Sequence, residues 1–287
     1  MTILVTGCKG QLGSEFRKIA SYSSDYQWIF TDYDTLDISN ENDVIKFFQT
    51  HSIGICINCA AYTAVDKAED DYDKAHNINT IAVGILARCC KLHNTVLFHI
   101  STDYIFDGNN DTPYTETDIA NPISVYGKTK VEGENVIKKS GCYYVIMRTS
   151  WLYSSTGNNF VKTMLRLAED RRSVNVVNDQ YGSPTWAFDL ANTIMFIIGR
   201  NADKEIHEIF NYSNDGIISW YEFANAIFKI SGKNCKAIPI TTEEFGSKAA
   251  RPKYSAFNKN KIKSYTGLSI PFWRDSLIKC IEELNRK

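Results

Sequence analysis

The first thirteen residues constrain this chain more than any other stretch. Thr2-Ile3-Leu4-Val5-Thr6 is a short apolar, β-branched run. It reads as a strand buried on both faces of a parallel sheet. Gly7, Gly10 and Gly13 follow, in Gly7-Cys8-Lys9-Gly10-Gln11-Leu12-Gly13, and then Leu12, Phe16 and Ile19 recur at helical spacing. A strand, a glycine turn and a helix aim the N–H groups of a helix N-terminus at one point, where a pyrophosphate binds well. The spacing is G-x-x-G-x-x-G rather than G-x-G-x-x-G. A second strand is predicted over 27–31, ending at Asp32. That carboxylate lies about twenty residues past the glycine turn, where it can accept from adenosine ribose hydroxyls. It would repel a 2′-phosphate, and no arginine follows in Tyr33-Asp34-Thr35-Leu36. Asp32 alone therefore points to NAD.

The first half continues this alternation. Strands are predicted at 54–58, 95–101 and 143–148, and helices at 11–21, 41–50, 72–93 and 124–139. This is the rhythm of an α/β chain with a Rossmann-like, doubly wound parallel sheet. After Arg148 the rhythm breaks. Helices at 158–170, 186–199, 219–230 and 272–284 mix with short strands near 174–177, 206–211 and 236–240. The reading is a dinucleotide-binding domain over 1–150 and a smaller, mainly substrate-binding lobe over 151–287, with one later segment able to return to the sheet.

With 287 residues the chain can bury a full core. Its net charge of −1 advertises no polyanion-binding face, so no nucleic-acid partner is expected. No apolar run approaches the roughly 20 residues of a membrane span, and no signal peptide is read before Thr2. Cys56-Ile57-Asn58-Cys59 has redox or zinc spacing. It falls in a predicted buried strand without a second pair or a His cluster. The eight cysteines read as core residues of a reduced cytoplasmic protein, and no metal is expected.

The chemistry is carried by Tyr126-Gly127-Lys128-Thr129-Lys130. In a helix, Tyr126 and Lys130 share one face. An ammonium beside a phenol lowers the phenol pKa toward the range useful for proton transfer. His99-Ile100-Ser101-Thr102-Asp103-Tyr104 ends the predicted fourth strand, and ligands of open α/β sheets bind beyond such strand ends. A threonine hydroxyl, a tyrosine and a lysine placed there can reduce a carbonyl.

On these motifs the chain resembles the extended short-chain dehydrogenase/reductases and, more narrowly, the dTDP-4-dehydrorhamnose reductase family. The likeness also rests on Asn58 to Glu69, Arg148-Thr149-Ser150-Trp151, Gly157-Asn158-Asn159-Phe160 and Asn178 to Thr185. The resemblance implies reduction of a dTDP-linked 4-keto sugar by NADPH or NADH, in a monomer or homodimer. It implies Thr102, Tyr126 and Lys130 as the catalytic trio. Gly7, Gly10, Gln11, Leu12 and Gly13 would meet the pyrophosphate. Asp32, Asp37 and Ile38 would meet the adenosine, and Ala60, Ala61, Tyr62 and Thr63 would line the path to the nicotinamide. Thr102, Asp103, Tyr104, Trp151, Asn159 and Arg251 would face the sugar nucleotide. Some relatives hold Mg²⁺ at a dimer contact; Glu15 matches one ligand, but Phe188, next to Asp189, stands at the second position.

Several residues have a second reading. Trp151 also suits a core aromatic, Asp66 to Glu69 a helix start, and Arg251 a surface arginine. Asn159 and Gln180 also suit caps and turns. Epimerases and 4,6-dehydratases share the fold and the Tyr/Lys pair, but the dehydratases place an acid after Thr-Asp, where this chain has Tyr104. A non-catalytic regulatory subunit would not need the intact trio.

Overall fold

The computed structural model describes residues 1–23, 25–201 and 205–286. Its first half runs β1 Thr2–Thr6, α1 Gln11–Tyr22, β2 Gln27–Phe30, α2 Glu41–Thr50, β3 Ile55–Asn58, α3 Val65–Ala68, α4 Tyr72–His76, α5 Ala82–Leu92, β4 Val96–Thr102, α6 Val125–Ser140 and β5 Tyr144–Thr149. The second half runs β6 Leu152–Tyr153, α7 Phe160–Asp170, β7 Ser173–Val177, β8 Tyr181–Gly182, β9 Thr185–Trp186, α8 Ala187–Asn201, β10 His207–Tyr212, β11 Ile218–Ser219, α9 Trp220–Ser231, β12 Lys236–Ile240, α10 Thr242–Phe245, α11 Asn260–Thr266 and α12 Trp273–Asn285.

Six strands form one parallel sheet in the order β10-β5-β4-β3-β1-β2. The order reverses at β1, which pairs with β2 on one side and β3 on the other. A crevice opens at such a reversal, beyond the strand C-termini. The near-continuous apolar strands are explained by burial on both faces. Ile3, Val5, Ile55 and Ile57 pack under α1 and α8, while Leu4, Cys56 and Leu97 pack under α2 and α5. Cys56 and Cys59 pack in these two different layers, and all eight cysteines are free. A third core is built from α7, α9, α12, β7 and β12. β10 is the later segment that rejoins the sheet, in parallel register with β5.

One element departs from expectation. The single helix predicted over 72–93 is three pieces: α4, a π-helical turn Asn77–Ile81, and α5. Buried Asn79 explains the break. Its Oδ1 accepts from Tyr62 N at 2.9 Å, and its Nδ2 donates to Tyr62 O and to Thr129 Oγ1, both at 3.1 Å. Widening the turn presents this amide to the Tyr62 backbone and to α6 at once. An ideal Cβ at Gly133 would lie 2.3 Å from the Asn79 carbonyl, so α6 can pack here only with glycine at that position.

Candidate active site

The glycine turn is built by close approach. Gly7 has φ +64°, and a Cβ there would lie 2.6 Å from Ala60 N. A Cβ at Gly13 would lie 2.5 Å from Gly7 O. Gly10 caps α1 without any side-chain hydrogen bond, which leaves the first-turn N–H groups facing the crevice. These features suit a dinucleotide pyrophosphate. On one side lies a cavity of about 450 Å³ lined by Asp32, Asp37, Ile38, Ala60 and Lys9. On the other lies a cavity of about 490 Å³, lined by Gln11, Leu12, Ala61, Thr63, Thr102, Asp103, Tyr104, Tyr126, Lys130 and Trp151. Gly7, Gly10 and Ala61 border both, so the two form one trough across the sheet reversal.

Asp32 is occupied locally. It accepts from Lys9 N at 2.8 Å and from Tyr33 N at 2.9 Å, which ties β2 to the glycine turn. Lys9 borders the same cavity, and its ammonium sits 2.7 Å from Asp34. Asp37 accepts from Ser39 N and Oγ.

The trio converges. Thr102 ends β4; its hydroxyl donates to Asp103 Oδ1 at 3.1 Å and accepts from Tyr104 N at 3.2 Å. Ser124 caps α6 by accepting from Gly127 N, which starts the helix one residue before Tyr126. Tyr126 and Lys130 are both buried and both border the cavity. The electrostatics correct one expectation. Tyr126 is not acidified: burial pushes its phenol up to about 12, against a downward pull from the Thr102 hydroxyl. Lys130 points elsewhere, donating to Ile100 O at 2.6 Å and meeting His99 Nε2 at 3.2 Å. Burial brings the Lys130 ammonium down to about 8. Burial also raises Asp103, to about 6, although the Ser255 and Thr102 hydroxyls offset part of it. Ser101 borders the cavity but donates to Glu134 Oε1 at 2.6 Å. Burial opposes the Glu134 charge, yet the Arg148 guanidinium holds its carboxyl below the usual range.

Three expected site residues, Tyr62, Asn159 and Arg251, lie beside the trough or away from it, as does Gln180. Tyr62 packs behind Tyr126 with Ala68 and Ala75. Asn159 caps α7, accepting from Lys162 N and donating to Ser154 O. Gln180 is buried and donates to Thr242 Oγ1. Arg251 grips Asp66 through two bonds, at 2.8 and 3.1 Å, and its charge also faces Tyr104. Glu15 accepts from Ser154, and its Oε2 lies 2.8 Å from Lys18, which also pairs with Glu283. A lysine ammonium thus stands where a cation would be needed. Phe188 packs on Trp186, and Asp189 accepts from Asn214. Among the described residues, no cluster of three His, Cys, Asp or Glu side chains could hold a metal.

Trp151 borders the cavity with φ +47°, a left-handed backbone that tryptophan rarely adopts. It stacks on Trp220 at 3.6 Å, and Gly182 leaves room for its ring. Trp220, Asn79 and His99 escaped the sequence reading as site residues. Only His99, two positions before the hydroxyl pair Ser101-Thr102, carried a usable signal.

The RmlD substrate binding domain model matches residues 1–286. A dTDP-4-dehydrorhamnose reductase of Aggregatibacter actinomycetemcomitans is 38% identical over 283 residues, 96% of each chain. The chain belongs to the dTDP-4-dehydrorhamnose reductase family. A family member from Clostridium acetobutylicum superposes with a TM-score of 0.94 at 43% identity, covering 99% of this chain and 100% of that one. The reductase of Bacillus anthracis, solved in complex with NADP, gives 0.92 at 39% identity, covering 98% and 99%.

Proposed function

We propose that this protein reduces the C4 ketone of dTDP-4-dehydro-L-rhamnose to give dTDP-L-rhamnose, using NADPH or NADH. The observation that carries this reading is the convergence of Thr102, Tyr126 and Lys130 on the cavity that opens from the glycine turn. The turn and α1 would hold the pyrophosphate, with Asp32, Asp37 and Ile38 around the adenosine and Ala60 to Thr63 along the path inward. A bound nicotinamide supplies the hydride. Tyr126 supplies the proton: a phenol pushed up to about 12 is fully protonated at neutral pH, which is the form a reduction consumes. Thr102 orients the ketone oxygen, and Lys130 positions the cofactor ribose. Asp103, Tyr104 and Trp151, which border the same cavity, would face the sugar nucleotide. Asn159 shapes the adjoining loop, and Arg251 serves the diphosphate once released from Asp66. The NADP complex of the Bacillus anthracis relative supports NADPH. Lys9, beside the adenosine cavity, supplies a cation for a 2′-phosphate that Asp32 alone would repel.

The protein works in this reading as a cytoplasmic monomer or homodimer, without nucleic acid or membrane. No described helix is long and apolar enough to cross a bilayer. Purified protein should oxidise NADPH when given dTDP-glucose already processed by a 4,6-dehydratase and a 3,5-epimerase, with dTDP-L-rhamnose identified by NMR. A different sugar product would move the assignment to another nucleotide-sugar reductase. No turnover with bound cofactor would favour the regulatory-subunit reading.

A further inference from the structure

One carboxylate ties two distant parts of the chain together beside the trough. Residues 246–252 form an arch between fixed points. Before it, Thr242 N donates to Asp179 Oδ1 at 2.9 Å. After it, Tyr181 N donates to Lys253 O at 2.7 Å, and Ser255 N donates to Tyr181 O at 2.8 Å. Between these anchors the arch reaches α3, where Asp66 gathers three donors. Ala249 N donates to Oδ1 at 3.0 Å, and the Arg251 guanidinium donates to Oδ1 at 3.1 Å and to Oδ2 at 2.8 Å. Lys248 adds a pair with Asp70, but both groups are exposed and such a pair is worth little. Both members of the Asp66–Arg251 pair adjoin the cavity wall. Val65 precedes Asp66, and the Tyr104 phenol faces the guanidinium. Val65 and Tyr104 both line the cavity that holds Tyr126.

The pair is unevenly exposed: 46% for the Asp66 side chain and 18% for Arg251. The guanidinium is the more deeply set partner, and a cation in that position is costly when it has no anion beside it. A carboxylate and a diphosphate offer the same paired oxygens to its planar fork. We propose that Asp66 is a resident stand-in for the diphosphate of the sugar nucleotide, holding Arg251 until the ligand arrives and competing with the ligand for it. This rests on the reductase reading, which gives the ligand its diphosphate. The bond from Arg251 holds the Asp66 carboxyl below the usual range, so the competing charge is present at neutral pH. Asp66 is thus a positioning residue with two opposed effects. It keeps the guanidinium aimed and paired, and it weakens ligand binding by the strength of the bond that must break. The exchange also removes two of the three bonds that join the arch to Asp66.

Asp66→Asn removes the charge and keeps an acceptor for Ala249 N. Full-length protein, saturated with NADP⁺ so that the glycine turn is occupied, would be titrated by calorimetry with dTDP and with thymidine. The variant should bind dTDP about fivefold more tightly than the wild type, the equivalent of about 1 kcal/mol, with thymidine unchanged. Placed on Arg251→Ala, the same substitution should give no gain. Unchanged or weaker dTDP binding in Asp66→Asn overturns the proposal. So does a gain that thymidine shares, or one that survives without Arg251. The comparison of dTDP with thymidine decides even if Arg251→Ala fails to fold. Tighter dTDP binding in a protein that reduces no ketone sinks the reductase reading and leaves the exchange intact. Ketone reduction by the wild type, with dTDP affinity unmoved in the variant, does the reverse.

Discussion

Asp103→Asn should make this protein more stable, by an amount that depends on pH. The Asp103 side chain is buried, and its carboxyl is raised from 3.8 to about 6, chiefly by that burial. A carboxyl whose folded-state pKa is raised holds its proton more tightly when native. Stability is therefore lost as pH climbs from about 3.8 to about 6, and the full penalty stands above that window. Each pH unit of difference is worth about 1.4 kcal/mol, so the buried charge costs about 3 kcal/mol at pH 8. By the same linkage the penalty shrinks to about 1 kcal/mol at pH 4.5. Asparagine has no charge to bury. It keeps an acceptor for the Thr102 hydroxyl and sets an amide beside the Ser255 hydroxyl, which can accept. Urea unfolding of both proteins at pH 8 and pH 4.5 isolates the ionisation from any change in packing. The variant's advantage should be larger at pH 8 by about 2 kcal/mol. An advantage equal at the two pH values, or an asparagine variant less stable at pH 8, would refute the reasoning. Ketone reduction should fall in the same variant, because a costly charge at the cavity wall is the kind of feature retained for function.

Tyr126→Phe should cut turnover by about a hundredfold or more while leaving the cofactor dissociation constant nearly unchanged; wild-type turnover would falsify the proton-donor role. Gly127→Ala should lower both stability and activity, since the new Cβ would lie 2.2 Å from the Tyr104 carbonyl, a backbone atom that cannot swing aside. Overpacking of this kind costs about 1–3 kcal/mol, readable by thermal unfolding. Trp220→Ala removes the platform under Trp151 and should raise the sugar-nucleotide KM several-fold with a smaller change in kcat, in line with about 0.5–1.5 kcal/mol for an aromatic pair. Lys9→Ala should raise the KM for NADPH more than that for NADH; equal changes would remove Lys9 from 2′-phosphate recognition.

What the sequence reveals follows from how far apart the interacting groups lie along the chain. The glycine turn is legible because most of its contacts are short-range: Gly10 and Gly13 answer to Gly7 and to the helix they open, although Gly7 itself also answers to Ala60 across the sheet. The sheet is legible because strands buried on both faces must be continuously apolar, as Ile3 to Val5 and Ile55 to Ile57 are. The return of β10 beside β5 is visible only as a strand of uncertain partner, since its register with residues 144–149 is a long-range fact. The π-helical turn at Asn77–Ile81 is hidden for the same reason. Asn79 stands among other polar residues, His76, Asn77 and Thr80, and its purpose lies at Tyr62 and Thr129.

The pKa of Tyr126 shows the limit most sharply. Four residues of helix place Lys130 on the same face, and from the sequence alone that proximity predicts an acidified phenol. The charge is diverted by Ile100 O and His99, which belong to β4, and the phenol answers to burial instead. The spacing locates the pair; the partner strand decides its electrostatics. A tyrosine that stays protonated at neutral pH is already in the form that a ketone reduction consumes.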